Sequence, residues 1–267
     1  DPQGSNTADE WIDSSRKLLS QNLFKEGLQA LNNAISIDPN NAITWGLKGM
    51  AFNYLDQYND SILALDRSIT LNPNDADIWE AKGLALKSLK KFSEALDSIN
   101  MSININPKSS LAWKYKGESL LNLNRNEEAI LSFNQAIALD PTDIQLWLYR
   151  GLVQENLQQY QEAIHSYDQA INLDPTAFLA WESKGIIFEH LGKHEEAIKI
   201  LDNAIKIFSG SERSWKYKGF GLAYLSHFDE AIYCLEKSIS IFPEDNETQE
   251  FLRRVIILKN NNGGVPK

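Results

Sequence analysis

The chain has a single cysteine, Cys234, in 267 residues. One thiol closes no internal disulfide and supports no cysteine-rich metal framework. Long apolar runs are missing as well: none approaches the roughly 20 residues that a membrane-spanning helix needs, so no span is expected. Positive charge is in deficit, with 26 lysines and arginines against 36 acidic residues and a net charge of −10. Such a surface repels a phosphate backbone, and nucleic acid is not expected as a partner. There is no glycine-rich phosphate loop and no strand pattern to precede one. No basic, apolar leader opens the chain, and a start at Asp1 fits either a cytoplasmic protein or one whose leader has been removed.

What the chain does have is a ladder of tryptophans. Trp11, Trp45, Trp79, Trp113, Trp147, Trp181 and Trp215 are all seven of its tryptophans, each 34 residues after the last. A fixed period of this length marks a repeat architecture in which each unit stacks on its neighbours. With the tryptophan at position 4, the units are 8–41, 42–75, 76–109, 110–143, 144–177, 178–211 and 212–245.

Each unit encodes two helices. Position 8 is glycine in six units (Gly49, Gly83, Gly117, Gly151, Gly185, Gly219) and Ser15 in the first, while position 20 is small throughout and position 27 is only Ala or Ser. Small residues at fixed helical offsets let two backbones approach closely, at a cost in helix propensity of about 1 kcal/mol per glycine. Position 28 is isoleucine in all seven units and, with positions 21 and 24, forms a second apolar stripe of helical spacing. Position 19 is always Asp or Glu, suited to the positive end of the second helix, and the position 32 proline of six units ends that helix. Position 34 then offers Asn41, Asp75, Ser109, Asp143, Ser211 or Asp245 as a cap for the next helix, with Ala177 the exception.

Trp at 4, Gly at 8, Ala at 20, an aromatic or Leu at 24, Ala at 27 and Pro at 32 resemble the tetratricopeptide repeat, a 34-residue helix-turn-helix unit. The resemblance covers Ala8 to Asp245. Its W-x-x-K-G form, with Lys48, Lys82, Lys116, Lys184 and Lys218 at position 7, is similar to repeats found in many prokaryotic, particularly archaeal, members. The resemblance implies an all-α fold: a right-handed superhelical α-solenoid of seven helix pairs, closed by a cap helix over 246–258. Residues 1–7 and 259–267 are expected to be flexible tails.

On a helical wheel, positions 4, 8 and 11 of the first helix face its partner, and positions 2, 5, 6, 9, 12 and 13 lie opposite. The resemblance turns that opposite side into a concave groove for peptides or protein segments. Five of the nine tyrosines fall there: Tyr54, Tyr115, Tyr149, Tyr217 and Tyr224. Tyrosine suits recognition because it combines apolar area with a polar tip and few rotors. The candidate groove is densest in the second half, at Lys114, Tyr115, Leu148, Tyr149, Leu152, Glu182, Ile186, Lys216, Tyr217, Phe220 and Tyr224. The residues that the family's chaperone-tail receptors use to clamp a carboxylate are missing: Lys114 is followed by Glu118, Tyr149 and Leu179. The asparagine ladder of its glycosyltransferase-associated arrays is missing too.

No catalytic group is assigned. His190 and His194 are spaced like a metal pair, but His194 occupies position 17, which is aromatic at Phe24, Tyr58, Phe92, Tyr160 and Phe228, and Glu196 the always acidic position 19. Cys234 has no histidine near it in its own helix. The position 7 lysines are expected to cover apolar surface beside the tryptophans and reach neighbouring carboxylates. The expected protein is a non-catalytic interaction scaffold without metal or cofactor, binding a protein or peptide. The alternatives are self-association through the solenoid ends and a recognition module of a larger enzyme or secretion assembly.

Overall fold

The computed structural model describes residues 7–262, and every regular element among them is an α-helix. The helices fall into two units, Asp1–Pro141 and Thr142–Lys267. The first holds four hairpins: α1 (Ala8–Ser20) with α2 (Phe24–Ile37), α3 (Ala42–Tyr54) with α4 (Tyr58–Leu71), α5 (Ala76–Ser88) with α6 (Phe92–Ile105), and α7 (Ser110–Asn122) with α8 (Asn126–Leu139). The second holds three, α9 (Ile144–Asn156) with α10 (Tyr160–Leu173), α11 (Phe178–His190) with α12 (His194–Ile207) and α13 (Glu212–Tyr224) with α14 (Phe228–Ile241), followed by α15 (Asn246–Asn262).

Helix starts follow the local chemistry. Asn41, Asp75, Ser109, Asp143 and Ser211 each accept a backbone N–H from the first turn of the helix they precede, and Ala177 makes no side-chain cap. The second helix of each pair has no side-chain cap but carries acidic residues in its first turn, which offset the exposed N–H dipoles. Thr7, expected in the leading tail, instead caps α1 in a reciprocal capping box with Glu10. At the other end 259–262, expected as tail, continue α15, and Lys259 pairs with Asp229 of α14. The rest of both expected tails lies outside the described residues.

The close approach within each hairpin rests on positions 8, 20 and 24. The position 24 side chains Leu31, Leu65, Ile99, Phe133, Tyr167, Leu201 and Leu235 are all between 0% and 2% exposed. Each contributes on the order of 1.5–3 kcal/mol by leaving water. Their tips lie directly over position 8: a Cβ on Gly117 would stand 2.7 Å from the Phe133 ring, and one on Gly151 would stand 2.6 Å from Tyr167. In the first hairpin the glycine has changed sides. Ser15 holds position 8, fully buried with its hydroxyl donating to Ile12 O at 2.6 Å, and Gly27 faces it from position 20.

Hairpins are joined at the tryptophan. The indole N–H of Trp45, Trp79 and Trp113 donates to the carbonyl of Pro39, Pro73 and Pro107 at 2.9, 2.8 and 3.0 Å. In the second unit Trp181 and Trp215 do the same to Pro175 and Ser209, at 3.0 and 2.9 Å. The residue that stops one hairpin is thus the acceptor for the next. Gln249 of α15, one period after Trp215, donates to Pro243 O at 2.6 Å and so keeps the link without the ring.

The position 7 lysines add a second tie. Lys48 reaches Asn32 at 2.8 Å, Lys82 reaches Asp66 at 2.6 Å, and Lys184 and Lys218 reach Asp168 and Asp202 at 2.5 Å. Lys48, Lys82 and Lys218 also lie over the rings of Trp45, Trp79 and Trp215, so these ammonium groups are engaged between repeats rather than offered as a basic rail.

Turns between paired helices place position 15 in the left-handed region: Asn22, Asp56, Lys90, Asn124, Gln158 and Ser226 at φ between 58° and 63°, and Gly192 at 71°. Asn and Asp tolerate this conformation, whereas Lys and Gln are strained there.

Two outcomes are expected from this geometry. Gly117→Ala drives a methyl into Phe133, and overpacking of about 1–3 kcal/mol set against a propensity gain of about 1 kcal/mol leaves the protein less stable, measured by urea unfolding. Lys90→Gly relieves the turn and raises stability by about 0.5–1 kcal/mol, read as a higher urea midpoint at unchanged slope.

Candidate functional site

Neighbouring first helices touch within each unit, α3 with α5 and α5 with α7 in the first, α9 with α11 and α11 with α13 in the second. Their outward positions therefore form continuous walls. In the second unit Leu148, Tyr149 and Leu152 of α9, Leu179 and Ser183 of α11 and Arg213 of α13 line a cleft of about 320 Å³. Its floor is Tyr167 of α10, whose hydroxyl donates to Glu155 Oε2 at 3.0 Å and is raised above its ordinary pKa by burial.

The eleven candidate residues divide among several roles. Lys114 and Tyr115 belong to the first unit, where burial pushes the Tyr115 phenol up to about 12, with Glu80 and Glu118 adding to the rise. Leu148, Tyr149 and Leu152 line the second unit's cleft. Glu182 does not face a groove: it is 4% exposed and accepts the hydroxyls of Ser211 and Ser214, with Arg213 Nη1 at 3.5 Å from Oε1. It therefore braces α11 against the start of α13. Ile186 is 1% exposed and belongs to the core, unlike Leu152 at the same repeat position, which is 41% exposed.

The remaining four gather near α15. Phe220 meets Phe251 of α15 at 4.3 Å and Tyr217 edge-on at 5.6 Å, and Tyr217 in turn meets the His190 ring at 5.6 Å. Tyr224 stacks flat on His194 at 4.7 Å. His194 Nδ1 lies 2.9 Å from Glu189 Oε1, so the two histidines serve separate contacts instead of converging. Burial raises the Glu189 carboxyl, partly countered by His194. The Cys234 thiol is buried and pushed up to about 11, far from a reactive thiolate. Among the described residues no group of three or more His, Cys, Asp or Glu is placed to hold a metal ion.

Three family models match the chain, two described as Tetratricopeptide repeat, over residues 42–75 and 148–212, and one as TPR repeat, over residues 117–158. This is a tetratricopeptide repeat protein. No curated protein matches it. Solved structures that share its fold include YrrB, 20% identical over 71% of this chain and 98% of that one, with a TM-score of 0.63. A tetratricopeptide protein of Parabacteroides merdae is 15% identical over 93% and 98%, with a TM-score of 0.64. The C-terminal part of a repeat protein of Cytophaga hutchinsonii is 13% identical over 90% and 98%, with a TM-score of 0.74. The chain is thus an all-α tetratricopeptide solenoid, and the family is generally a non-catalytic fold for protein interaction. No helix among the described residues is long and apolar enough to cross a membrane.

Within the tetratricopeptide array, sequence reasoning passed over Gln145, Leu179, Ser183 and Arg213, which line the second unit's cleft from positions 2 and 6. A cleft of about 370 Å³ in the first unit includes the candidate Tyr115 and the groove-side Tyr54, while Asp77, Glu80 and Leu111 on its walls were not among the candidates. The available signal was the recurrence of positions 2, 5, 6 and 9 in every repeat.

Lys216 is spent on the array's end. It contacts Asp245 at 2.9 Å and Glu247 at 2.7 Å, and Asp245 also accepts from the Thr248 N–H and hydroxyl. Burial alone would raise the Asp245 carboxyl, but the Thr248 and Lys216 contacts outweigh it and hold it well below the ordinary range. A depressed folded pKa means stability that is present above the unfolded value of about 3.9 and lost as the pH falls below it. Amide exchange across α15 is expected to speed up relative to α13 between pH 5 and pH 3, both flanking that value of about 3.9, and Asp245→Asn should remove most of this pH dependence.

Proposed function

We propose that the protein is a non-catalytic scaffold that holds an extended peptide or protein segment in the groove of its second unit. The observation that carries this reading is the second unit's cleft, with Leu148, Tyr149, Leu152 and Leu179 on its walls. Leu152 and Leu179 are 41% and 57% exposed, a high value for large apolar side chains on neighbouring helices. Arg213, held near Glu182, adds a positioned donor at the rim. Anchors of this kind suit apolar side chains at intervals along a strand-like or helical segment, with the arginine fixing direction. YrrB is described as a TPR protein with an unusual peptide-binding site, which supports looking for a peptide on this fold. No cofactor is needed, and the net charge of −10 weighs against nucleic acid as the ligand.

Self-association is the second reading. Ile256, Ile257 and Leu258 of α15 are 38%, 58% and 49% exposed, which favours contact with another copy at that end. Light scattering over a range of concentrations separates the two readings, because a groove binder stays monomeric.

The test is capture from the source organism with the intact chain beside Tyr149→Ala with Leu179→Ala, followed by affinity measurement on the captured protein. A loss of at least about tenfold, about 1.4 kcal/mol, at unchanged helicity is expected. Equal affinity of the two proteins would remove the second unit's cleft as the site.

A further inference from the structure

The first unit has a cleft of different chemistry at the same repeat positions. Met50 and Tyr54 of α3, Asp77, Glu80 and Leu84 of α5, and Leu111 and Tyr115 of α7 line it. Positions 2 and 5, which are Gln145 and Leu148 in the second unit's cleft, are here Asp77 and Glu80. The second cleft has an arginine and no carboxylate on its walls; the first has two carboxylates and no cationic side chain.

The ion pairs between described residues of this unit do not involve those carboxylates. They use other groups: Arg16 with Asp13, Lys82 with Asp66, Lys87 with Glu118, Lys91 with Glu94 and Arg125 with Glu128. Glu80 is half-buried and accepts the Ser109 hydroxyl at 2.6 Å. Burial raises its carboxyl, the Ser109 hydrogen bond opposes this, and the like charge of Asp77 adds to the rise. Asn53, also on the wall, donates Nδ2 to Ala81 O at 2.9 Å, which fixes the amide orientation and leaves its buried Oδ1 without a partner.

The aromatic wall is held in advance. Tyr54 is 72% exposed, yet its ring lies flat on Phe24 at 4.8 Å and an interplanar angle of 11°. One face is covered and the ring is fixed, so a ligand does not have to order it. Acceptors beside a fixed ring, within apolar walls, match a flat cation that forks its donors and stacks. That describes a guanidinium better than an ammonium, which is a point charge with no plane.

We propose that the first unit's cleft is a second binding site, which takes an arginine of an extended peptide. The guanidinium lies against Tyr54 and turns its donors to Asp77 and Glu80, and the neighbouring peptide residues are apolar to match Met50, Leu84 and Leu111. The site deepens the scaffold reading by giving one segment of the ligand a chemical class, but it uses none of the second cleft's residues. The net charge of −10 speeds the approach of a basic segment, and the cleft decides where it stays.

The probe is a short fluorescent peptide alternating leucine and arginine, beside the same peptide with citrulline, which keeps the shape and removes the charge. Anisotropy titrations use the full chain, with melting temperature as the folding control. Glu80→Gln with Asp77→Asn retains an acceptor for Ser109 and is expected to weaken binding at least about tenfold, as is Tyr54→Ala. Citrulline should weaken it as much, while the exposed-surface change Glu127→Gln leaves it unaltered. Absence of binding by the arginine peptide overturns the proposal. So does equal affinity for citrulline, equal loss in Glu127→Gln, or full affinity in the Glu80/Asp77 double variant. A loss confined to Tyr149→Ala would instead assign the peptide to the second cleft, leaving the scaffold reading intact and this one refuted.

Discussion

Everything in this array hangs on how near the two helices of a hairpin can come. That distance is set where position 24 of the second helix lies on the bare backbone of position 8 in the first, at 2.4 to 2.8 Å from where a Cβ would stand in the six hairpins with glycine there. Such an approach buries the position 24 side chain almost completely and leaves much of the opposite side of the first helix out of the hairpin's own core. The outward positions 2, 5, 6 and 9, of which position 2 is the most exposed, are the geometric remainder of that packing. The tryptophan and lysine links then only have to repeat one relation between hairpins, carbonyl to indole and carboxylate or amide to ammonium.

The two clefts illustrate what a repeat leaves open. The hairpin geometry places the same four wall positions in each unit, and no packing term decides whether they carry Asp and Glu or Gln and Leu. The wall residues are nearly neutral for folding, so they are free to answer to a ligand. Tyr54 on Phe24 and Tyr224 on His194 show how the array also stiffens such walls: position 13 of one repeat rests on position 17 of the previous one. Ring-on-ring contact holds a tyrosine in place without taking it out of solvent.

The helices and their caps were legible in the sequence because their signals are local and occur up to seven times over. Proline, glycine and the capping side chains each act within a few residues of the structure they set. The face of the first helix was legible for the same reason, as a matter of angle alone. What could not be read was which groove positions the array would use for itself. Glu182 looks like a groove residue until Ser211 and Ser214 arrive from the next repeat, and Lys216 until Asp245 and Glu247 do, contacts 29 to 32 residues away in sequence. The left-handed turn at position 15 was announced by Asn22, Asp56, Asn124 and Gly192 but masked by Lys90, Gln158 and Ser226, which carry none of the residue preference for such a conformation.

The first hairpin shows a consequence for how such a chain is able to change. Ser15 and Gly27 exchange the roles that glycine and a small residue hold in the other six hairpins, so the close approach survives with its donor of space on the opposite helix of the pair. A first helix from this hairpin joined to a second helix from any other would set serine against serine or alanine, with no glycine at the crossing. Recombination that cuts inside the first hairpin and gives its first helix a second helix from another repeat is therefore penalised, while recombination at the proline that follows it is not. That first hairpin is inherited as a whole, although the period seen in the sequence has no preferred starting point.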